Sequence, residues 1–385
     1  MKQYVVLIIF SFILAFIAEW IKSSKNDVAV KLRSFRIQYI FIVILLALIV
    51  YYSAERSIEF GDTGSYWSIF KENIQVSKFK DCWEPLKDNK NGAFYVLSSF
   101  IKLYITQDKT LYFGIIAFLI NLMALIFLYK YSKLFEFAVL IYFLSAQFNF
   151  TLNGLKQSLA VMLIALSVWM IEKKKWYIYF PFLYFFVMQF HRSSMIFFLI
   201  YIIVNIDIKS RPEIKKNMPY FILVLGVILL VTSPLTKGYM ANLAEDTNYG
   251  EYSNTISSGN IGSNPIRIFI SIVPFALGMA FRKYIEPHEK YYHIFMCMTA
   301  FSTVFYMLGL IFVFYARFAL YFNMFTIPLM TWVVYYAPKK KRKLLFAFLV
   351  LFYLLYFYLE MVVSLGFTWD SNIFYVYTLR DLLAK

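Results

Sequence analysis

Residues Leu344–Val363 read LLFAFLVLFYLLYFYLEMVV, twenty positions with one charge, Glu360. As a helix this stretch is long enough to cross a hydrocarbon core of about 30 Å. Inside lipid every backbone N–H must find its acceptor within the same segment, which makes a helix the default. A membrane barrel would need alternating polarity, and this run does not alternate. Similar runs recur upstream. Hydropathy marks about twelve spans: 4–21, 37–54, 111–129, 134–150, 155–171, 177–190, 193–206, 218–236, 265–281, 293–314, 319–337 and 344–364. The first lacks a strongly basic leader and a small-residue cleavage site before Lys22, so it reads as a retained helix rather than a signal peptide. The fold class is therefore all-α, a polytopic transmembrane helix bundle forming a single integral membrane domain over 1–385.

Composition agrees. Of 385 residues 61% are hydrophobic and 16% charged, against roughly 25% charged in soluble chains. The formal net charge of +16 does not imply a nucleic acid partner, because the basic residues sit in short loops between apolar runs. Six loops, within 22–36, 130–133, 173–175, 209–216, 282–290 and 339–343, hold 22 of the 38 lysines and arginines. The positive-inside rule makes these cytoplasmic, which puts 55–110, 151–154, His191-Arg192, 237–264, 315–318 and both termini outside. The apolar stretch 93–106 is too short to span and reads as an interfacial or re-entrant helix within an external loop 55–110. A second external loop covers 237–264. Cys82 and Cys297 fall in a polar loop and an apolar run, which argues against a disulfide. No Cys/His spacing suggests a metal.

Charges near membrane depth are costly and usually have a partner or a task. Several gather on the outer side. In Gly61-Asp62-Thr63-Gly64-Ser65-Tyr66-Trp67, Asp62 reads either as a general base or, with Thr63, as a helix cap. In Asn153-Gly154-Leu155-Lys156-Gln157-Ser158, Lys156 and Gln157 open a helix whose free N–H groups favour an anion; a snorkelling lysine is the plainer alternative. His191-Arg192-Ser193-Ser194 puts a histidine, a cation and two hydroxyls at one turn. Arg317 is the one arginine or lysine between Lys290 and Lys339; it either pairs with an acid from another helix or binds an anionic ligand. Arg267 is similar but also marks a helix end. Glu84 offers a second external carboxylate. Glu19, Glu136 and Glu360 have no evident partner. Carboxylates, a histidine and several cations on one face suit an anionic lipid-linked substrate: the cations hold a phosphate, and a carboxylate or histidine activates a hydroxyl.

The order Gly61-Asp62-Thr63-Gly64-Ser65-Tyr66, Asn153-Gly154-Leu155-Lys156-Gln157-Ser158-Leu159-Ala160 and His191-Arg192-Ser193-Ser194, with Arg317 and Tyr321 following, resembles the EpsG/Wzy-like family of bacterial polysaccharide polymerases over roughly 37–340. The chain departs from that pattern at Lys156, where the family usually has Arg. The resemblance implies a fold similar to the C-type, GT-C-like membrane glycosyltransferases. It implies an enzyme of the bacterial cytoplasmic (inner) membrane that makes polysaccharide such as O-antigen, capsule or exopolysaccharide. Such an enzyme transfers an undecaprenyl-pyrophosphate-linked glycan onto a lipid-linked repeat unit at the outer face. It uses no metal or other cofactor. Its partners are the undecaprenyl-pyrophosphate-linked oligosaccharide, membrane lipid, and flippase and chain-length regulator proteins. On this reading Asp62 or His191 is the catalytic base. Lys156, Arg192 and Arg317 meet the departing pyrophosphate, while Asn153, Gln157, Arg267, Tyr66 and Glu84 complete the substrate site. A flippase or transporter of lipid-linked oligosaccharide, a glycan ligase, an acyltransferase and a non-catalytic scaffold are the alternatives.

Overall fold

A computed structural model describes residues 1–23, 28–88, 91–207, 211–245 and 262–375. The described residues form helices joined by short turns, and no strand longer than an isolated bridge is found among them. Eight helices are long and apolar enough to cross a membrane: Lys2–Ser23, Ile37–Ala54, Lys109–Tyr131, Leu155–Glu172, Pro212–Thr232, Tyr292–Gly309, Val313–Tyr336 and Lys339–Ser364. A ninth crossing results if Phe135–Leu144 and Gln147–Asn153, bent by 56°, count as one. Trp176–Phe190, Arg192–Val204 and Ile266–Ala280 are apolar but shorter. Length and composition thus admit eight or nine crossings where hydropathy suggests about twelve.

The interruptions have local causes. At Ala146 the backbone turns left-handed (φ 58°), which ends one helix and starts the next at a new angle. Pro181 lies inside Trp176–Phe182 and is followed by a π-helical turn, Leu183–Val187. A proline removes one backbone donor and crowds the carbonyl four residues earlier, so the ladder loosens there. His191 is extended (φ −153°, ψ 111°) and breaks the chain between helices.

The chain divides into two compact units, 1–198 with 353–385, and 199–352. In the first, Lys109–Tyr131 and Leu155–Glu172 are the most enclosed long helices, with 61% and 67% of their apolar windows buried. Lys2–Ser23 and Ile37–Ala54 are much less covered and keep an apolar face for lipid. In the second, Tyr292–Gly309 and Val313–Tyr336 form the core and pack against each other through Phe295, Phe325 and Trp332. Their buried polar groups satisfy one another: Ser302 Oγ donates to Asn323 Oδ1 at 2.8 Å, and Asn323 Nδ2 to the Tyr306 hydroxyl at 2.7 Å.

Three expectations need correction. Residues 237–245 are not loop: the helix Pro212–Glu245 runs through them. The rest of that expected loop, 246–261, lies outside the described residues, and 262–264 leads into the helix Ile266–Ala280. Arg317 is not in a turn at 315–318. The turn is Leu310–Phe312, closed by backbone bonds from Leu310 to Met307 and from Ile311 and Phe312 to Leu308. Arg317 belongs to the helix Val313–Tyr336. Finally, Glu19 has a partner after all: Lys22, one turn on, approaches it to 2.9 Å.

The first unit also gathers both ends of the described chain. The amino group of Met1 donates to the Ser371 carbonyl, and Lys2 pairs with Asp370 at 3.1 Å. Residues 373–375 run antiparallel beside 55–57: Ser57 donates to the Ile373 carbonyl at 2.9 Å and Tyr375 to that of Glu55 at 2.7 Å.

Candidate active site

The stretch 55–110 is folded rather than open. It contains the short helix Thr63–Ser68, a π-turn Ile69–Asn73, a 3-10 turn Phe79–Trp83 and the helix Gly92–Tyr104. The last has Phe94, Val96, Ser98, Ser99 and Ile101 buried. At thirteen residues it is too short to cross. Lys102 on this helix ties the segment together. Its ammonium donates to the carbonyls of Phe70, Lys71 and Ile74 at 2.9, 2.8 and 2.7 Å, which caps the end of the π-turn.

The first two sequence motifs meet directly. Gly61 has φ +51°, a conformation glycine adopts without cost. A Cβ at Gly61 would lie 1.7 Å from Oδ1 of Asn153, so the Asn153 amide packs on the bare Gly61 backbone. Asp62 occupies the N-cap position of Thr63–Ser68, but its side chain makes no cap bond. The capping reading of Asp62 is therefore not realised, and its carboxylate is exposed and unpaired among the described residues.

Lys156 lies one residue into the helix Leu155–Glu172. Its backbone N–H faces the Tyr66 phenol. Its ammonium donates to the Tyr95 hydroxyl at 3.0 Å and lies 4.4, 5.4 and 5.9 Å from the ring centres of Tyr95, Phe94 and Tyr66. It makes no ion pair among the described residues. Three aromatic walls hold a cation by their ring quadrupoles without cancelling its charge. A compact ammonium suits such a cage, which gives the departure at 156 a physical setting. Burial, and then the neighbouring Asp62 charge, push the Tyr66 phenol up, so it stays protonated at neutral pH.

The third motif joins through one bond. Arg192 donates its backbone N–H to Oδ1 of Asn91 at 3.3 Å, and Asn91 precedes the helix that carries Phe94 and Tyr95. His191 is half-buried and Arg192 exposed. Gln157 is buried in the helix begun by Lys156.

Glu84 does not join this group. It sits exposed in a turn, with only backbone bonds to Asp81 and Lys87. Arg267 and Arg317 belong to the second unit. There Ser263 donates to the Gly309 carbonyl at 2.7 Å, and a Cβ at Gly309 would lie 3.0 Å from that of Ala316. The strand of chain leading to Arg267 thus docks beside the helix start that carries Arg317.

Sequence reasoning missed Arg56, Asn91, Tyr95 and Tyr112. Arg56 is completely buried, its guanidinium 4.0 Å from the Phe113 ring centre. The Tyr112 and Tyr66 phenols are electrostatic neighbours of it. Tyr112 stacks on Phe70 at 3.9 Å and shares a 3.1 Å hydrogen bond with Ser98. The only signal was position: Arg56 follows the second span by two residues and precedes Gly61-Asp62 by five.

The EpsG family model matches residues 37–379, a range that includes every contact just described except those of the N-terminal residues. The chain belongs to the EpsG family. It is thus a multi-pass membrane protein of the polysaccharide-polymerase type. Comparison with curated proteins and with solved structures gives no match for this EpsG family member.

Proposed function

We propose that this protein is a glycosyltransferase of the bacterial cytoplasmic membrane that lengthens polysaccharide at the outer face. It transfers an undecaprenyl-pyrophosphate-linked glycan onto a hydroxyl of an incoming lipid-linked repeat unit. The observation that carries this reading is the meeting of Asp62, Tyr66, Asn153 and Lys156, from segments about ninety residues apart, beside the His191-Arg192 turn. A free carboxylate and an unneutralised cation then flank one phenol.

In the reaction the acceptor oxygen attacks the anomeric carbon of the donor sugar. Its proton passes to Asp62 or His191. The bond from that carbon to the lipid pyrophosphate breaks, and the pyrophosphate leaves with the electron pair. Lys156 and Arg192 meet the charge that develops on it; the family resemblance assigns Arg317, and with it Arg267, to pyrophosphate binding as well. Asn153, Gln157 and Tyr66 contact the sugars. Pyrophosphate is already a good leaving group, so the scheme needs neither a metal nor a nucleotide. Membrane lipid surrounds the enzyme, and flippase and chain-length regulator proteins are its working partners.

Extension of a defined lipid-linked repeat unit by purified protein is the direct test. In cells, Asp62→Asn, His191→Ala and Arg317→Ala should each shorten the polymer at normal protein levels. Long chains in all three variants would remove the assignment. A flippase for the same lipid-linked glycans is the second reading. The 56° break between Phe135–Leu144 and Gln147–Asn153 favours it, since transporters build substrate sites at interrupted helices. Translocation of a labelled lipid-linked oligosaccharide in proteoliposomes, without chain extension, would select it.

A further inference from the structure

Arg56 is the one fully enclosed arginine among the described residues, with 0% of its surface exposed. None of its three guanidinium nitrogens has a hydrogen-bond partner. It forms no ion pair there. A buried guanidinium without acceptors is among the costliest arrangements a chain can hold, because it gives up water and receives nothing. Burial pushes its ionisation down only to about 9, so the group is a cation at neutral pH.

The surroundings hold the group in place without satisfying it. The Arg56 backbone is clamped by the antiparallel bridge to Phe374 and by the flanking bonds of Ser57 and Tyr375. Phe113 lies 4.0 Å from the guanidinium carbon. Stacking on an aromatic ring engages the face of the planar group and leaves the N–H edges for an acceptor. Tyr66, which contacts Lys156, is also an electrostatic neighbour of Arg56. Neither cation has a carboxylate partner among the described residues.

We propose that Arg56 is an anion-binding residue of this site, taking a phosphate oxyanion of a lipid-linked pyrophosphate in a two-pronged hydrogen bond. The proposal rests on the reading of the site as one for lipid-linked pyrophosphates and adds to it the residue that grips the phosphate. The closed arrangement is then the ligand-free one. Arginine rather than lysine suits the position, because the planar fork matches two phosphate oxygens.

The test is binding by the full chain in lipid nanodiscs, with farnesyl pyrophosphate and inorganic pyrophosphate as probes, for wild type, Arg56→Met and Arg56→Lys. Arg56→Met is expected to bind the probe about 30-fold more weakly or worse, and Arg56→Lys to fall between. The ligand-free Arg56→Met protein should melt at or above the wild-type temperature, since an unpaired buried charge has been removed. Preference of wild type for farnesyl over inorganic pyrophosphate supports the lipid-linked source, and equal binding of both, lost in Arg56→Met, supports a site for phosphate generally. Unchanged affinity in Arg56→Met overturns the proposal, as does failure of wild type to bind either probe. If Arg56→Met does not fold, Arg56→Lys decides, and wild-type affinity in it overturns the proposal. The polymerase reading is judged separately: extension that proceeds normally in Arg56→Met leaves that reading standing and removes this one, while binding through Arg56 without any extension does the reverse.

Discussion

Cations in the basic loops are held differently from those at the motif site. In the loops three meet carboxylates, while Lys130, Lys173, Lys175, Lys283, Lys290 and Arg342 lie over aromatic rings at the loop surface. Lys22 reaches Glu19 at 2.9 Å, Lys215 reaches Asp207 at 3.0 Å, and Arg282 grips Glu286 through two bonds of 2.7 and 2.8 Å. At the motif site Arg56 and Lys156 meet aromatic rings and phenols instead. The ion pair of the folded termini, Lys2 with Asp370, is exposed on both sides and of the kind worth about 0–1 kcal/mol. A paired charge has its field cancelled and serves topology or local structure. A charge walled by rings keeps its field and can still receive an anion. The contrast separates cations paired with a carboxylate from Arg56, which is fully buried, and Lys156, which three rings surround, although both kinds contribute equally to the net charge.

The largest effects should come from the motif residues. Asp62→Asn keeps size and removes the base, and should lower repeat-unit extension about 10²–10⁴-fold, measured with purified protein. If His191 is the base, His191→Ala will show the larger loss of the two. Lys156→Met should cost about 10²-fold, while Lys156→Arg should stay active, because the cage of Tyr66, Phe94 and Tyr95 also accepts a guanidinium. Equal activity of Lys156→Met and wild type would place Lys156 with the structural cations.

A middle-sized effect probes the contact that joins the motifs. Gly61→Ala adds strain from its positive φ, about 1–2 kcal/mol, and a methyl carbon 1.7 Å from Asn153 Oδ1. Asn153→Ala frees that space. The double variant should therefore lose less stability than the two single losses added together, and a melting-temperature cycle reads this. Additive losses would mean that Gly61 and Asn153 do not touch.

The helices were legible because lipid leaves few options: a long apolar run must satisfy its own backbone. The three motifs were also legible as local clusters, and Asn153, Lys156 and Asp62 do come together. Their mutual geometry was not, since it depends on Gly61 lying bare against Asn153. Arg56 was invisible for a further reason. A charge two residues past Ala54 looks like ordinary flanking, and its burial is made by Phe113 and by residues 373–375 from far along the chain. Long-range enclosure leaves no periodic trace. The turn at Leu310–Phe312 was misplaced because its residues are apolar, with Gly309 as the only hint. Glu19 with Lys22 was a plain i, i+3 pair and simply went unread.

The smallest expected effect lies with the paired cations and tests the other half of the contrast. Arg282 holds the Glu286 carboxyl below its ordinary range, chiefly through its hydrogen bonds. A carboxylate lowered in this way contributes stability that is fully present above its unfolded value, near 4.3, and is lost as pH falls through the folded value. The side chains are 15% and 45% exposed, so water screens the pair and its worth is about 0–1 kcal/mol. Glu286→Gln should lower the neutral-pH melting temperature by at most a few degrees. That difference should shrink as pH falls below about 4, because wild type then loses the same charge. Polymer length in cells should not change. A marked loss of polymer in Glu286→Gln at normal protein levels would mean that pairing does not mark a cation as structural, and the division between the two kinds of charge would fail at its simpler end.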